Sequence, residues 1–128
     1  MQQNIDERAN NSYLYVAEAV KKVCDIDLVH EMLFMLHASI QNDWSEFENF
    51  SKLRQFASAA NVLHGMKGTI PIFSDRKTEE IMQKTESLLR TSSSESDIKS
   101  STDDLRFQMQ GFIYELDLWV KAQQKITI

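Results

Sequence analysis

Cysteine and proline occur once each in these 128 residues, and glycine three times. A lone thiol at Cys24 excludes an internal disulfide and suits a reducing compartment; it reads as a small buried hydrophobe at a helix end. No apolar run approaches the roughly 20 residues of a membrane span, and Met1 to Asn11 is polar where a secretory signal would be apolar. Excess basic charge is missing too. The net charge is −5 and the pI about 5.1, which argues against the clustered lysine and arginine of a nucleic-acid footprint. No segment alternates in the manner of a strand, and no internal repeat stands out. The expectation is a cytoplasmic chain with no nucleic-acid partner and no direct membrane contact.

Hydrophobic residues make up 42% of the chain and charged residues 26%, ordinary values for a single globular domain of this size. Met1 to Asn11 carries no apolar period and reads as a leader or the end of a linker. Asn11 or Ser12 caps a short helix through Val23, with Leu14, Val16, Ala17, Val20 and Val23 apolar. Tyr13 and Tyr15 fall partly off that stripe, as in a helix laid across one end of a bundle. Asp25 or Asp27 caps the next helix, where Leu28, Met32, Leu36, Ile40, Phe47 and Phe50 recur near the helical period, widened by Val29, Leu33, Met35 and Trp44. The stripe keeps phase across Asn42 and Asp43, so one long helix to about Phe50 is preferred over a break with Asp43 and Glu46 as a capping box.

After a glycine-free turn near Ser51 to Arg54, Leu53, Phe56, Ala60, Leu63 and Ile70 point inward, leaving His64, Lys67 and Gly68 at the edge. Pro71 inside a helix would cost roughly 3 kcal/mol, so this helix kinks or ends soon after His64. Ser74 or Asp75 starts another, striped by Thr78, Ile81, Met82, Thr85, Leu88 and Leu89. Thr91 to Thr102 holds six serines and reads as a solvated loop. A last helix from Ser101 or Thr102 to about Lys125 turns Leu105, Met109, Phe112, Leu116, Trp119 and Val120 inward. Trp44 and the methionines are expected in the core. The expected fold is all-α: an antiparallel four-helix bundle over residues 12–125 with a short additional capping helix at the N-terminus, a polar leader over 1–11 and a tail over 126–128. No second continuous apolar face is left over, so a monomer is expected.

Gly65 and Gly68 both fall within four residues of His64. A mid-helix glycine costs roughly 0.8–1 kcal/mol relative to alanine, so stability gives no reason for the pair; missing bulk, which lets another body approach, does. Lys67 follows His64 by three positions and shares its helix face, and Ala57, Ala60 and Asn61 border that face with little bulk. Free imidazole titrates near pH 6.5 and is a good nucleophile when neutral. A neighbouring ammonium favours the neutral ring and offsets charge on an attached phosphoryl group.

The run His64-Gly65-Met66-Lys67-Gly68, in an all-helical chain of this length, resembles the His-x-x-Lys-Gly hallmark of the histidine-containing phosphotransfer (HPt) domains of bacterial multistep phosphorelays. The resemblance covers roughly residues 12 to 125. It implies a phosphocarrier in which Nε2 of His64 takes a phosphoryl group from the aspartate of one receiver domain and passes it to that of a response regulator. Lys67 would stabilise the phosphoryl charge, and Gly68 would allow close approach. Ala57, Ala60, Asn61 and Gly65 would meet the partner, with Tyr13 and Leu14 a candidate apolar docking patch. The receiver would bring Mg²⁺; no cofactor is expected in this chain.

A hybrid sensor histidine kinase ending in this module, at the cytosolic end of a membrane protein, is the expected context. Glycine at position 65, Pro71 and Ser74 depart from the family's usual pattern. No Gly-rich loop and no acidic receiver pocket is found, so no kinase activity is expected. The alternative is an all-helical adaptor that binds receivers or other partners without carrying phosphate. His30 and His37 lie seven apart on one helix with Asp27 three before His30, but no further carboxylate–histidine pair accompanies them, and no metal site is expected.

Overall fold

Two aspartates set helix starts. Asp25 and Asp75 stand in extended backbone and accept hydrogen bonds from the amides of Leu28 and Thr78 at 3.0 and 2.9 Å, satisfying donors that a first turn leaves free. The computed structural model describes residues 13–126, with side chains as far as Gln124. Its elements are α1 (Val16–Val23), α2 (Ile26–Lys52), α3 (Phe56–Met66), the single turn α4 (Ile70–Phe73), α5 (Arg76–Thr91) and α6 (Glu95–Ile126). The fold is all-α, with no strand among the described residues. The expected leader over 1–11, a cap at Asn11 or Ser12, and the last residues of the expected tail lie outside the described residues.

The long helix is unbroken across Asn42 and Asp43, because Val29, Leu33, Leu36, Ile40, Trp44 and Phe47 keep one buried line along it. Met35 leaves that line and is exposed, contrary to a core role. The turn after α2 manages without glycine by placing Arg54 in left-handed backbone, φ 59°. Leu53, expected inward, is carried out to solvent by that turn.

α3 stops at Met66. The amides of Lys67, Gly68 and Thr69 reach back to Leu63, Gly65 and Met66, and Pro71 falls in the first turn of α4, where a missing N–H is harmless. Ser74 is extended and buried, so glycine's freedom is not required there.

Two further expectations are corrected. The segment from Thr91 to Thr102 is not a solvated loop: only 92–94 lie outside helix, and α6 begins at Glu95. Ile98, Ser101 and Thr102 extend the inward stripe of Leu105 by helical spacing and are buried, and Ser101 Oγ lies 2.6 Å from Thr85 Oγ1 on α5. A serine that finds a partner across the interface is as compatible with burial as an apolar residue. Cys24 is exposed at the left-handed end of α1 (φ 62°), its thiol directed to the Lys21 carbonyl, and not buried.

Contacts close α2, α3, α5 and α6 into a ring, each packed on the next and α6 back on α2. Neighbours run antiparallel: His37 meets Asp117 and Glu48 meets Arg106 between α2 and α6, and Thr78 meets Gln108 while Thr85 meets Ser101 between α5 and α6. These four helices enclose a core filled by Phe47, Leu63, Met82, Leu105, Met109 and Phe112. α1 and α4 pack on each other beside α2 and α5.

Ahead of α1 the chain is strapped to α6. The amides of Tyr13 and Leu14 donate to Glu115 Oε1 at 3.1 and 2.9 Å, and Tyr15 N–H donates to the Phe73 carbonyl. Tyr13 lays its ring on Gly111, where an added Cβ would stand 2.5 Å from ring atoms. Gly111→Ala is therefore expected to push the Tyr13 ring off α6, a loss that offsets the roughly 0.8–1 kcal/mol alanine gains over glycine in a helix interior, seen as faster proteolysis ahead of α1 with no rise in the thermal midpoint. A raised midpoint with an unchanged digestion rate would mean the strap is not held there.

Candidate functional site

The inward stripe of α5 contains one carboxylate. Met82, Glu86 and Leu89 follow each other at helical spacing, and all three are buried, so Glu86 must find cations or be neutralised. It finds three partners. Lys67 Nζ donates to Oε1 at 2.8 Å, Arg90 Nε donates to Oε2 at 3.1 Å from one turn later, and His64 Nδ1 lies 3.1 Å from the same oxygen. The Glu86 side chain is 10% exposed, Lys67 24% and His64 71%.

Burial by itself would raise the pKa of Glu86. Hydrogen bonds from Lys67 and Arg90, with the charges of Lys67 and His64, outweigh it and hold the carboxyl below the ordinary glutamate value. An ionised carboxylate only accepts, so His64 Nδ1 must be the protonated nitrogen. In the neutral ring the lone pair then stands on Nε2. Thus a buried acid on α5 selects the tautomer of an exposed histidine on α3 and also holds the ammonium of Lys67.

Ala57, Asn61, Gly65 and Gly68 are exposed around His64. A Cβ at Gly65 would meet nothing within 4 Å, and one at Gly68 only the Gly65 carbonyl at 3.3 Å; neither glycine has a positive φ. Their smallness therefore leaves room outward and is not demanded by the backbone.

Three of the expected contact residues lie elsewhere. Ala60 is buried with Ala59 and Leu63 on the inner face of α3, where helical period puts it, so it cannot touch a partner. Leu14 is buried in the core. Tyr13 packs on Phe107 and Gly111 of α6, diagonally across the ring from α3. His30 and His37 have separate neighbours: the ring of Trp119, and Asp117 at 3.0 Å.

Glu86 and Arg90 were not singled out from the sequence. The available signal was an acid in phase with Met82 and Leu89, since a carboxylate on a buried stripe implies a cation opposite.

A cavity of about 600 Å³ lies away from His64, against the α2–α3 turn and the start of α6. Along its walls Arg54 pairs with Glu95 and Arg106 with Glu48, and the partnerless hydroxyls of Ser51 and Thr102 beside it are closed to solvent. The ion cluster of Glu86, Lys67, Arg90 and His64 lies on the α3–α5 face instead.

Comparison of the chain with protein-family models, curated proteins and solved structures finds no match. Among the described residues, no group of three or more histidine, cysteine, aspartate or glutamate side chains is placed to hold a metal ion, and no helix is long and apolar enough to cross a membrane.

Proposed function

We propose that this chain is a phosphocarrier: His64 accepts a phosphoryl group on Nε2 from the aspartate of a receiver domain and passes it to the aspartate of another. The observation that carries this reading is the pairing of an exposed ring with a buried carboxylate that accepts from Nδ1–H and so keeps the ring proton off Nε2. In the transfer, the Nε2 lone pair attacks phosphorus, the bond from phosphorus to the aspartyl oxygen breaks, and the carboxylate leaves with the electron pair. The ring keeps its proton on Nδ1 and gains positive charge, which Glu86 faces. Lys67, one turn away, offsets charge on the phosphoryl oxygens. Mg²⁺ comes with the receiver.

The landing face in this reading is the outer side of α3, with Ala57, Asn61, Gly65 and Gly68, continued by Leu28, Met32 and Met35. Those three share one stripe of α2 by spacings of four and three, and Leu28 and Met35 are exposed. An apolar stripe beside a low surface suits a partner whose own active site must come close. Gly65→Ala is expected to fold at least as stably as the parent, by up to about 1 kcal/mol, whereas Gly68→Gln slows transfer by blocking approach while thermal unfolding changes little. Equal transfer rates for Gly68→Gln and the parent would remove the close-approach role.

Glu86→Leu leaves Nδ1 without its acceptor and frees Lys67; acceptance from a phosphorylated receiver is expected to fall on the order of tenfold or more. Glu86→Gln keeps an acceptor for Nδ1 and should fall less. Equal rates in all three proteins would show that the tautomer is not set by this residue.

The acid also makes stability depend on pH. Because its pKa is lowered in the fold, its contribution is fully present above the ordinary glutamate range and is lost as pH falls through the lowered value. Urea unfolding at a series of pH values from neutral downward should show the parent losing more stability than Glu86→Gln; parallel curves would contradict the ion cluster. An adaptor without phosphate transfer is the second reading, and labelling decides between them.

A further inference from the structure

The outer face of α6 carries a second apolar stripe. Phe107, Tyr114 and Leu118 are 63%, 64% and 48% exposed, and with Gly111 they follow spacings of four, three and four residues along one helix face. Tyr13 fills the step at Gly111 and meets Phe107 edge to face, ring centroids 6.2 Å apart. The stripe is thus continuous over roughly 16 Å of helix. The expectation of a monomer rested on there being no such face. α6 supplies one, on the helix diagonal to the one that bears His64.

Its two ends carry opposite charge. Asp103 and Asp104 stand one turn before Phe107, and Lys121 stands one turn after Leu118; all three are exposed. Asp103 is paired within the chain to Lys99 and Arg106, and Lys121 to Asp117, yet they keep 47% and 64% of their side-chain surface. A parallel second α6 would set acid on acid. An antiparallel one sets Asp103 against Lys121 and opposes the two helix dipoles. The same alignment places Phe107 opposite Leu118, and Tyr114 opposite the Tyr13 ring on Gly111, so each large group faces apolar surface in both directions.

We propose that a second copy of this chain docks on this face, α6 antiparallel to α6 about a two-fold axis between Gly111 and Tyr114. Such a contact is isologous and closes at two copies. Four side chains fall short of the about 800 Å² per partner of a standard interface, so the dimer is weak and reversible. The docking is independent of phosphoryl transfer and leaves His64 open.

Sedimentation of the full chain from roughly 10 µM to about 1 mM is expected to show a monomer–dimer equilibrium. Leu118→Glu should shift it at least about tenfold toward monomer, with circular dichroism and thermal unfolding unchanged; Tyr114→Lys should do the same and serves if the first variant folds poorly. For orientation, Asp103→Cys and Lys121→Cys are each made on a Cys24→Ser background. Oxidation of their equimolar mixture should give the crosslinked dimer far more efficiently than oxidation of either alone. A chain that stays monomeric throughout, whether the stripe is bare or is covered by residues 1–12 or by another protein, overturns the proposal. So does a dimer indifferent to both substitutions, or one in which either cysteine variant crosslinks best with itself.

Discussion

His64→Gln is expected to take up no phosphoryl label from a phosphorylated receiver, at least about a thousandfold below the parent protein. The side chain is 71% exposed, so the substitution leaves the packing around Leu63 intact, and thermal unfolding should move by less than about 0.5 kcal/mol. In the parent the label should be acid-labile and base-stable, as a phosphorus–nitrogen bond to imidazole is. Lys67→Ala is expected to accept label more slowly, by about tenfold, because it removes one charge and not the nucleophile. If His64→Gln is labelled as well as the parent, or if no label reaches the parent, the phosphocarrier reading fails and the adaptor reading stands.

Phe112→Ala carries the largest expected effect on folding. Phe112 has no exposed surface and lies in the cluster that includes Leu105, Met109 and Leu116. Deleting a buried ring from a ring of four packed helices should cost about 3–5 kcal/mol, since the helices cannot close over the void. In a domain of this size that lowers the melting midpoint by roughly 10 °C or more. Phe107, five residues earlier on the same helix, faces outward, and Phe107→Ala in dilute solution should change stability by no more than about 0.5 kcal/mol. Similar losses for the two variants would mean that the rotation of α6 about its axis is wrong.

Much of the fold was legible because apolar spacing is a local property. The buried line of α2 runs through the polar pair at Asn42 and Asp43, and one residue's phase predicts the next. Where local composition spoke against helix, the sequence misled. The serines from Ser92 to Ser101 look like a loop, yet α6 runs through three of the six, because Ile98 is buried and Ser101 meets Thr85 on another helix. The pairing lies between residues 16 apart and leaves no trace in either segment.

The site divides along the same line. His64, Lys67 and the two glycines lie within five residues of sequence at the end of α3, so their nearness was legible from local spacing. Glu86 comes from another helix and reaches His64 only when α3 and α5 pack. Sequence by itself determined most of the helices, the greater part of their inner faces, and a histidine with a lysine beside it on low ground. Tertiary structure decided which ring nitrogen holds the proton, that Ala60 and Leu14 are out of a partner's reach, and that α6 keeps an apolar stripe outside. The reason is physical: periodicity orients a side chain relative to its own helix, but only packing brings a charge from a distant helix within hydrogen-bond reach and sets which faces stay wet.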